Sequence, residues 1–315
     1  MYPRLTLTLL PVFLLLLAIS GVLLGSLDLQ TALSTGPDIL TDLRLSRVLV
    51  AILAGAGLGL AGAMIQGVVR NPLASPDIIG VTGGAGLAAT ALLLLFPGVA
   101  FGWMIPAAIV GALLTMALML WLVRNQDLNP ARLVLVGVAL SAWLGALIDW
   151  LLVSHPYQVN AALVWLTGSL WGRGWDHVAV LLPWLLVLFP LALMMALRLD
   201  LLALGDEAAE GLGANVLQTR KLALLLSVAL AAVSVAVCGA ISFVGLISPH
   251  LARLLVGGSH RRLIPATAMI GAVLVLLADI LARTLAPPIE LPAGVLTSLI
   301  GAPYFLFLLT RYRGW

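Results

Sequence analysis

The chain is 315 residues long, 62% hydrophobic and 9% charged, with a mean hydropathy of +1.16 and a formal net charge of +3. No water-soluble domain carries such a surface. At about 20 apolar residues per crossing, the length holds about ten spans with short connections and no separate soluble domain, so 1–315 reads as one transmembrane domain and any chemistry needing a soluble catalytic domain falls to a partner.

Apolar windows near 5–25, 47–69, 78–96, 102–123, 133–153, 176–198, 221–243, 244–257, 264–285 and 294–311 predict an all-α membrane protein of ten spans. The first window follows Arg4 and is expected to stay as a span. Its apolar run exceeds the roughly 7 to 15 residues of a secretory signal, and no A-x-A site follows it. The second, LVAILAGAGLGLAGAMIQG, carries Gly55, Gly57, Gly59 and Gly62 at the small-residue spacing that lets helix backbones approach. Gln66, polar at its inner end, is expected to bond to a neighbouring helix or loop. The loop RNPLASPDIIG, Arg70 to Gly80, has two prolines that stop this helix and stiffen the turn before the third. The loop RNQDLNPARL before the fifth span fits either a constriction of a pore or an ordinary turn.

Between the fifth and sixth spans, SHPYQVNAALVWLTGSLWGRGWD is long enough for an extra helix at the outer surface. Trp165, Trp171 and Trp175 read as interfacial belt residues; Asn160, Thr167, Ser169 and Arg173 alternatively face a cavity. After the sixth span comes DLLALGDEAAEGLGANVLQTRK, 200–221, the most polar stretch of the chain. Asp206, Glu207 and Glu210 stand between Gly205 and the pair Gly211 and Gly213, which predicts a short helix bounded by tight turns, its acids at the favourable end of the helix dipole. A solvated connector is the plain alternative, but a connection needs only about 2 to 8 residues, and this insert reads as a seat for another protein. The windows at 221–257 are short for two crossings and are interrupted by Gly239, Gly245 and Pro249, so one is expected to be a short or broken helix packed inside the protein.

Two echoes run through the chain. Gly62-Ala63 precedes Pro72-Leu73-Ala74 as Gly239-Ala240 precedes Pro249-His250-Leu251-Ala252, and IPAAIVGALL from Ile105 matches IPATAMIGAVL from Ile264. The partners lie an odd number of spans apart, so they predict an inverted repeat of spans 2–5 and 7–10 with a transport path near the repeat interface; chance likeness in so apolar an alphabet is the rival.

With the N-terminus in the cytoplasm, Arg4, Arg70, Arg124, Arg132, Arg198, Arg220, Lys221, Arg253, Arg261, Arg262, Arg311 and Arg313 fall inside, and Arg44, Arg47, Arg173 and Arg283 outside. That bias places both termini and the 200–221 insert in the cytoplasm. Arg44, Arg47 and Arg283 oppose it, so they either meet an acidic partner or pair internally with Asp38, Asp42 or Asp279. Asp149 and Asp279 are ionisable residues in or near spans, both close to predicted outer ends. His155, His177, His250 and His260 lack metal-ligand spacing, and no phosphate loop, nucleophile motif or nucleic-acid signature occurs, so no metal, cofactor, enzymatic activity or nucleic-acid partner is expected.

The segments LRLSR, QGVVRNPLASPDIIGV, LALGDEAAEGLG, GAISFVGLISPH, ADILAR and ELPAGVLTSLIGAPYF together resemble the FecCD family, the ten-span permeases of importers for iron chelates, haem and cobalamin. Within it, VNAALVWLTGSLWGRGWD, CGAISFVGLISPH and GGSHRRLIP look most like the branch that carries ferric dicitrate. The resemblance implies a fold like the cobalamin importer's permease, paired with a second FecCD-type permease in a bacterial inner membrane. It implies that Leu204, Gly205, Asp206, Glu207, Glu210, Gly211, Leu212 and Gly213 couple to a cytoplasmic ABC ATPase dimer. It further implies that Arg44, Arg47 and Arg283 dock a periplasmic substrate-binding protein, and that spans 5 and 10 line the path. Asn129, Pro130 and Ala131 match the cytoplasmic gate loop, where the cobalamin relative has small hydroxyl residues. Asn160, Ser169 and Arg173 are the candidates for touching an anionic cargo. Another siderophore, haem or cobalamin is the alternative cargo, and an ion-gradient-driven carrier is the rival class, which needs acidic or histidine residues deep within spans.

Overall fold

The structure, a computed structural model, describes residues 3–25, 34, 39–96, 98–124, 130–287 and 289–311. Among these no strand occurs. Helix α1 is Pro3–Leu23; a π-helical turn, Ile39–Leu45, runs into α2, Ser46–Val69; and a 3-10 turn, Pro76–Ile79, leads to α3, Val81–Leu95. Then follow α4 Met104–Val123, α5 Pro130–Ser154, the short α6 Val159–Leu166, α7 Trp175–Met194, α8 Ala196–Leu202, α9 Asp206–Gly211, α10 Val216–Cys238, α11 Val244–Val256, α12 His260–Thr284 and α13 Ala293–Arg311. Seven of these helices are long and apolar enough to cross a membrane, and α3, α11 and α13 are shorter apolar helices, which together match the ten expected windows.

The core sits where the small residues predict it. The apolar windows of α2, α10 and α12 are 78%, 72% and 72% buried, whereas that of α1 is 6% buried and packs on the core by one side only, through Leu7, Leu10, Leu14, Leu17 and Val22. A Cβ on Gly55, Gly59 or Gly62 would run into the backbone of Gly271, Thr267 or Gly245, so α2 lies backbone to backbone against α12 and α11. Between membrane helices this close packing replaces the hydrophobic drive that water supplies to soluble proteins.

Packing partners are exchanged as an inverted repeat requires. Helix α3 packs on α4 as α11 packs on α12; α2 packs on α12 as α10 packs on α4; and α2 and α10 meet at the centre. Of the two sequence echoes, the one at Ile105 and Ile264 falls near the starts of the equivalent helices α4 and α12. The other does not superpose: Pro72 lies in a loop and Pro249 inside α11.

Both second helices of the repeat start inside the membrane. Residues 239–243 are irregular, and α11 has only 13 residues, the short helix expected in that region. Its counterpart α3 begins at Val81 after the 3-10 turn. Pro76 packs against Gly245, which abuts Gly62 of α2. Gly62 lies about 12 Å along the helix from the Arg70 end and about 24 Å from Ser46, at about 1.5 Å per residue, so the 76–83 segment is at membrane depth. Irregular backbone survives there only where protein or a cavity surrounds it. One expectation from the tryptophans changes. Trp171 and Trp175 are exposed, but Trp165 is 4% exposed and belongs to the core, because α6 folds back onto Gly239 and the outer end of α3 instead of lying flat at the interface.

Candidate functional site

Three polar regions stand out along the length of α2. The one at its Ser46 end, outer by the expected sidedness, collects the arginines. Arg47, in the first turn of α2, donates from Nε and lies by Nη2 against Asp279 Oδ1 at 2.9 and 2.8 Å, and donates from Nη1 to Glu290 Oε2 at 2.7 Å. Arg283, one turn beyond Asp279 on α12, sets Nε 3.2 Å from Asp279 Oδ2 and donates from Nη2 to the Gly21 carbonyl at 3.0 Å. Arg44 donates to the carbonyls of Val22 and Leu23 at the end of α1. Of the internal partners weighed from sequence, Asp279 pairs. Asp42 instead accepts from the Trp175 indole at 3.3 Å, and Asp38 lies outside the described residues. Arg44, Arg47 and Arg283 are thus mostly enclosed, at 6%, 9% and 3% exposure. They nevertheless line, with Arg173 and Glu290, an outward cavity of about 330 Å³.

Beside it lies a second cavity of about 500 Å³ lined by Asn160, Trp165, Ser169, Trp171, Arg173 and His177. The three residues singled out for cargo contact are therefore brought together, by α6 and the 167–174 turn. Arg173 borders both cavities and lies by Nη1 3.1 Å from His177 Nε2. Burial lowers its pKa from the ordinary arginine value, although arginine remains charged at any physiological pH.

The middle region was missed in the sequence. Asp77, in the loop read as proline punctuation, accepts from Ser75 at 3.4 Å and from the Thr82 hydroxyl, while its carbonyl accepts from Ser141 near the middle of α5 at 3.2 Å. With Ser242 and Phe243 these residues border a cavity of about 390 Å³. The cavity thus lies between Ser141 of α5, the 75–83 segment and the 242–246 segment; Phe243 holds φ at 68°, and a Cβ on Gly301 of α13 would run into its side chain, so α13 packs against one of the lining residues. The available signal was two polar residues, Ser75 and Asp77, between two apolar windows, with Thr82 just inside the second.

At the inner end, Gly205 (φ 104°) and Gly213 (φ 84°) turn the chain into and out of α9, as the glycines predict. Asp206 accepts from Arg220 Nη2 with both carboxylate oxygens at 2.9 Å and lies 3.2 Å from Arg70 Nη2. Arg70 itself ends α2 in a left-handed conformation, φ 53°. That clamp ties Asp206 to two arginines with its side chain still 40% exposed, and leaves Glu207, Glu210, Gly211 and Gly213 exposed, with Leu204 and Leu212 each 62% exposed. Gln66 bonds as expected: Nε2 donates to the Ala74 and Leu246 carbonyls and Oε1 accepts from Arg253 at 2.5 Å. Asp200 accepts from the His260 amide at 2.8 Å and meets its Nδ1 at 2.6 Å, tying α8 to α12. Of the gate residues, Asn129 lies outside the described residues, Pro130 begins α5, and Ala131 is exposed beside it.

Known proteins resemble this chain over most of its length. The FecCD transport family pattern matches residues 7–311. The Fe(3+)-citrate import system permease protein YfmE of Bacillus subtilis is 46% identical over 98% of this chain and 95% of its own. The Fe(3+) dicitrate transport system permease protein FecD of Escherichia coli is 50% identical over 87% of this chain and 86% of its own. A solved structure of a metal-chelate type ABC transporter in an inward-facing conformation superposes with a TM-score of 0.89 at 34% identity, covering 98% of this chain and 100% of that one. A pattern spanning all but the chain ends, relatives about half identical, and one shared fold leave no other assignment: this protein belongs to the FecCD transport family.

Proposed function

We propose that the protein is one permease subunit of an ATP-driven importer that passes an iron(III) chelate, ferric dicitrate, from a periplasmic binding protein to the cytoplasm by alternating access. The observation that carries this reading is the 46–50% identity to two permeases named for ferric citrate. A second FecCD-type permease completes the path along α5 and α13, and an ABC ATPase dimer supplies hydrolysis, since this chain is a transport permease and not an enzyme. The protein sits in a bacterial inner membrane with both termini in the cytoplasm.

Physically, the binding protein delivers cargo at the outer arginine cavity, where acidic side chains meet a cationic surface and orient the encounter. Asn160, Ser169 and Arg173 line the neighbouring cavity and suit the carboxylates of an anionic chelate, Arg173 through its planar fork of donors. At the inner face, Glu207 and Glu210, framed by exposed Leu204 and Leu212, form the surface on which the ATPase pushes. Closure of the ATPases tilts the two permeases so that the path opens alternately to either side. Asn129, Pro130 and Ala131 stand at the inner gate.

The test is ligand-stimulated ATPase activity of the reconstituted complex with its binding protein, measured against a panel of ferric dicitrate, hydroxamate and catecholate siderophores, haem and cobalamin. Stimulation by ferric dicitrate alone is expected; stimulation by another member reassigns the cargo. The ion-gradient reading has one observation in its favour, the carboxylate of Asp77 at membrane depth. Uptake that survives an ATPase unable to hydrolyse ATP but collapses with the proton gradient would replace our reading with that one.

A further inference from the structure

The outer cavity contains its own acid. Arg47 is held by two carboxylates of different character. Asp279 is fully buried, serves Arg283 as well, and stays in place as part of the α2–α12 contact. Glu290 comes from the connection between α12 and α13, keeps 18% of its side chain exposed, and lines the cavity with Arg44, Arg173 and Arg283. Four arginines thus meet one buried and one rim carboxylate. The rim one occupies the guanidinium face that an incoming acid needs.

We propose that Glu290 is a built-in stand-in for the carboxylate of the docking partner: in the undocked permease it seats on Arg47, and the binding protein's acidic side chain takes that seat by displacing it. The inference rests on the docking reading of the arginines and adds its regulation. Asp279 keeps its hold on Nε and Nη2 throughout, so exchange concerns only the Nη1 side; it keeps that donor matched as well, which matters because a donor left unmatched in an enclosed site is costly. It also sets a threshold, since a partner must outcompete a tethered carboxylate, whose effective concentration is high. Displacement frees the connection that leads into α13. Four residues on, the Gly294 amide donates to the Gly168 carbonyl at 2.9 Å, and a Cβ on Gly294 would strike the Thr167 carbonyl. Glu290 is therefore linked, through a few residues of chain, to the packed corner that closes the outer end of α13 beside the cavity of Asn160, Ser169 and Arg173.

The experiment measures docking of purified, cargo-loaded binding protein to the complete transporter in nanodiscs. Glu290→Gln is expected to lower Kd at least about fivefold, and Glu290→Asp, whose shorter arm weakens the pair, to lower it less. Asp42→Asn removes the same charge from the same exposed face away from Arg47 and is expected to leave Kd within about twofold. An unchanged or raised Kd for both Glu290 variants, or an equal gain from Asp42→Asn, overturns the stand-in role. A photoreactive side chain in place of Trp171, which is 68% exposed at the cavity, tests docking itself. Failure to crosslink the binding protein there sinks the docking reading, whereas crosslinking with unchanged Kd in the Glu290 variants sinks only the present inference. Should Glu290→Gln not assemble, Glu290→Asp alone decides the matter by the same measurement.

Discussion

Asp279 shows how one side chain can hold the outer half of the molecule together. It is fully buried, and it answers Arg47 from α2 and Arg283 from its own helix. Removing one partner of such a buried set leaves charges unmatched, which typically costs about 3–5 kcal/mol. Asp279→Asn is therefore expected to lower the melting temperature of the detergent-solubilised protein sharply. Asp149→Asn, at the exposed outer end of α5, is expected to change stability by no more than about 0.5 kcal/mol; equal melting temperatures for the two variants would show that Asp279 bears no structural load. The pairing of Asp279 was readable, since an acid four residues before an arginine on one helix face is a local pattern. Glu290 and Asp77 were not, because both stand beside prolines in stretches that read as connections. Only the fold shows that one reaches a cation from another helix and that the other turns back into the membrane.

At the scale of elements, the polar insert is where sequence and structure agree best and where they part in detail. A helix framed by Gly205 and Gly213 follows from glycine's access to positive φ, and the chain folds accordingly. The sequence offered Asp206, Glu207 and Glu210 as equivalent acids. In the fold Asp206 is engaged by Arg220 and Arg70, and the more exposed acids are Glu207 and Glu210. The two kinds of acid should fail differently. Glu207→Lys with Glu210→Lys is expected to abolish co-purification of the ATPase without altering the permease's own stability. Asp206→Asn is expected to speed amide exchange across 203–213 first and to weaken ATPase binding only as a result. Unchanged exchange in Asp206→Asn would remove the clamp from the account. The short helices α3 and α11 lay at the limit of legibility: apolar windows locate them, but their starting depth depends on how Pro76 and Gly245 meet, a tertiary fact that no window of sequence contains.

For the molecule as a whole, the ten windows and the glycine-packed centre follow from composition and small-residue spacing, because a membrane leaves few ways to satisfy a backbone; the peripheral place of α1 does not, since its window is no less apolar than the others. The repeat was legible in one echo and not in the other, since equivalent helices share packing roles before they share residues. Sidedness rests on charge bias and can be checked directly. Cys238 is free and buried, so background labelling is low. Cysteine introduced at Glu210 is expected to react with a membrane-impermeant maleimide in inside-out vesicles only, and cysteine introduced at Trp171 in right-side-out vesicles only. The reverse pattern would turn the whole assignment over.

Helix α2 is fastened by an arginine at either extremity, Arg47 to Asp279 and Glu290 at the outer cavity and Arg70 to Asp206 of α9. Its 24 residues make a stiff beam of about 36 Å at about 1.5 Å per residue. A rocking of about 5° imposed at one extremity then moves the other by about 3 Å at that length, about the span of a hydrogen bond. Nucleotide state on one side of the bilayer and grip on a visiting protein on the other need no relay of side chains between them: a seesaw suffices.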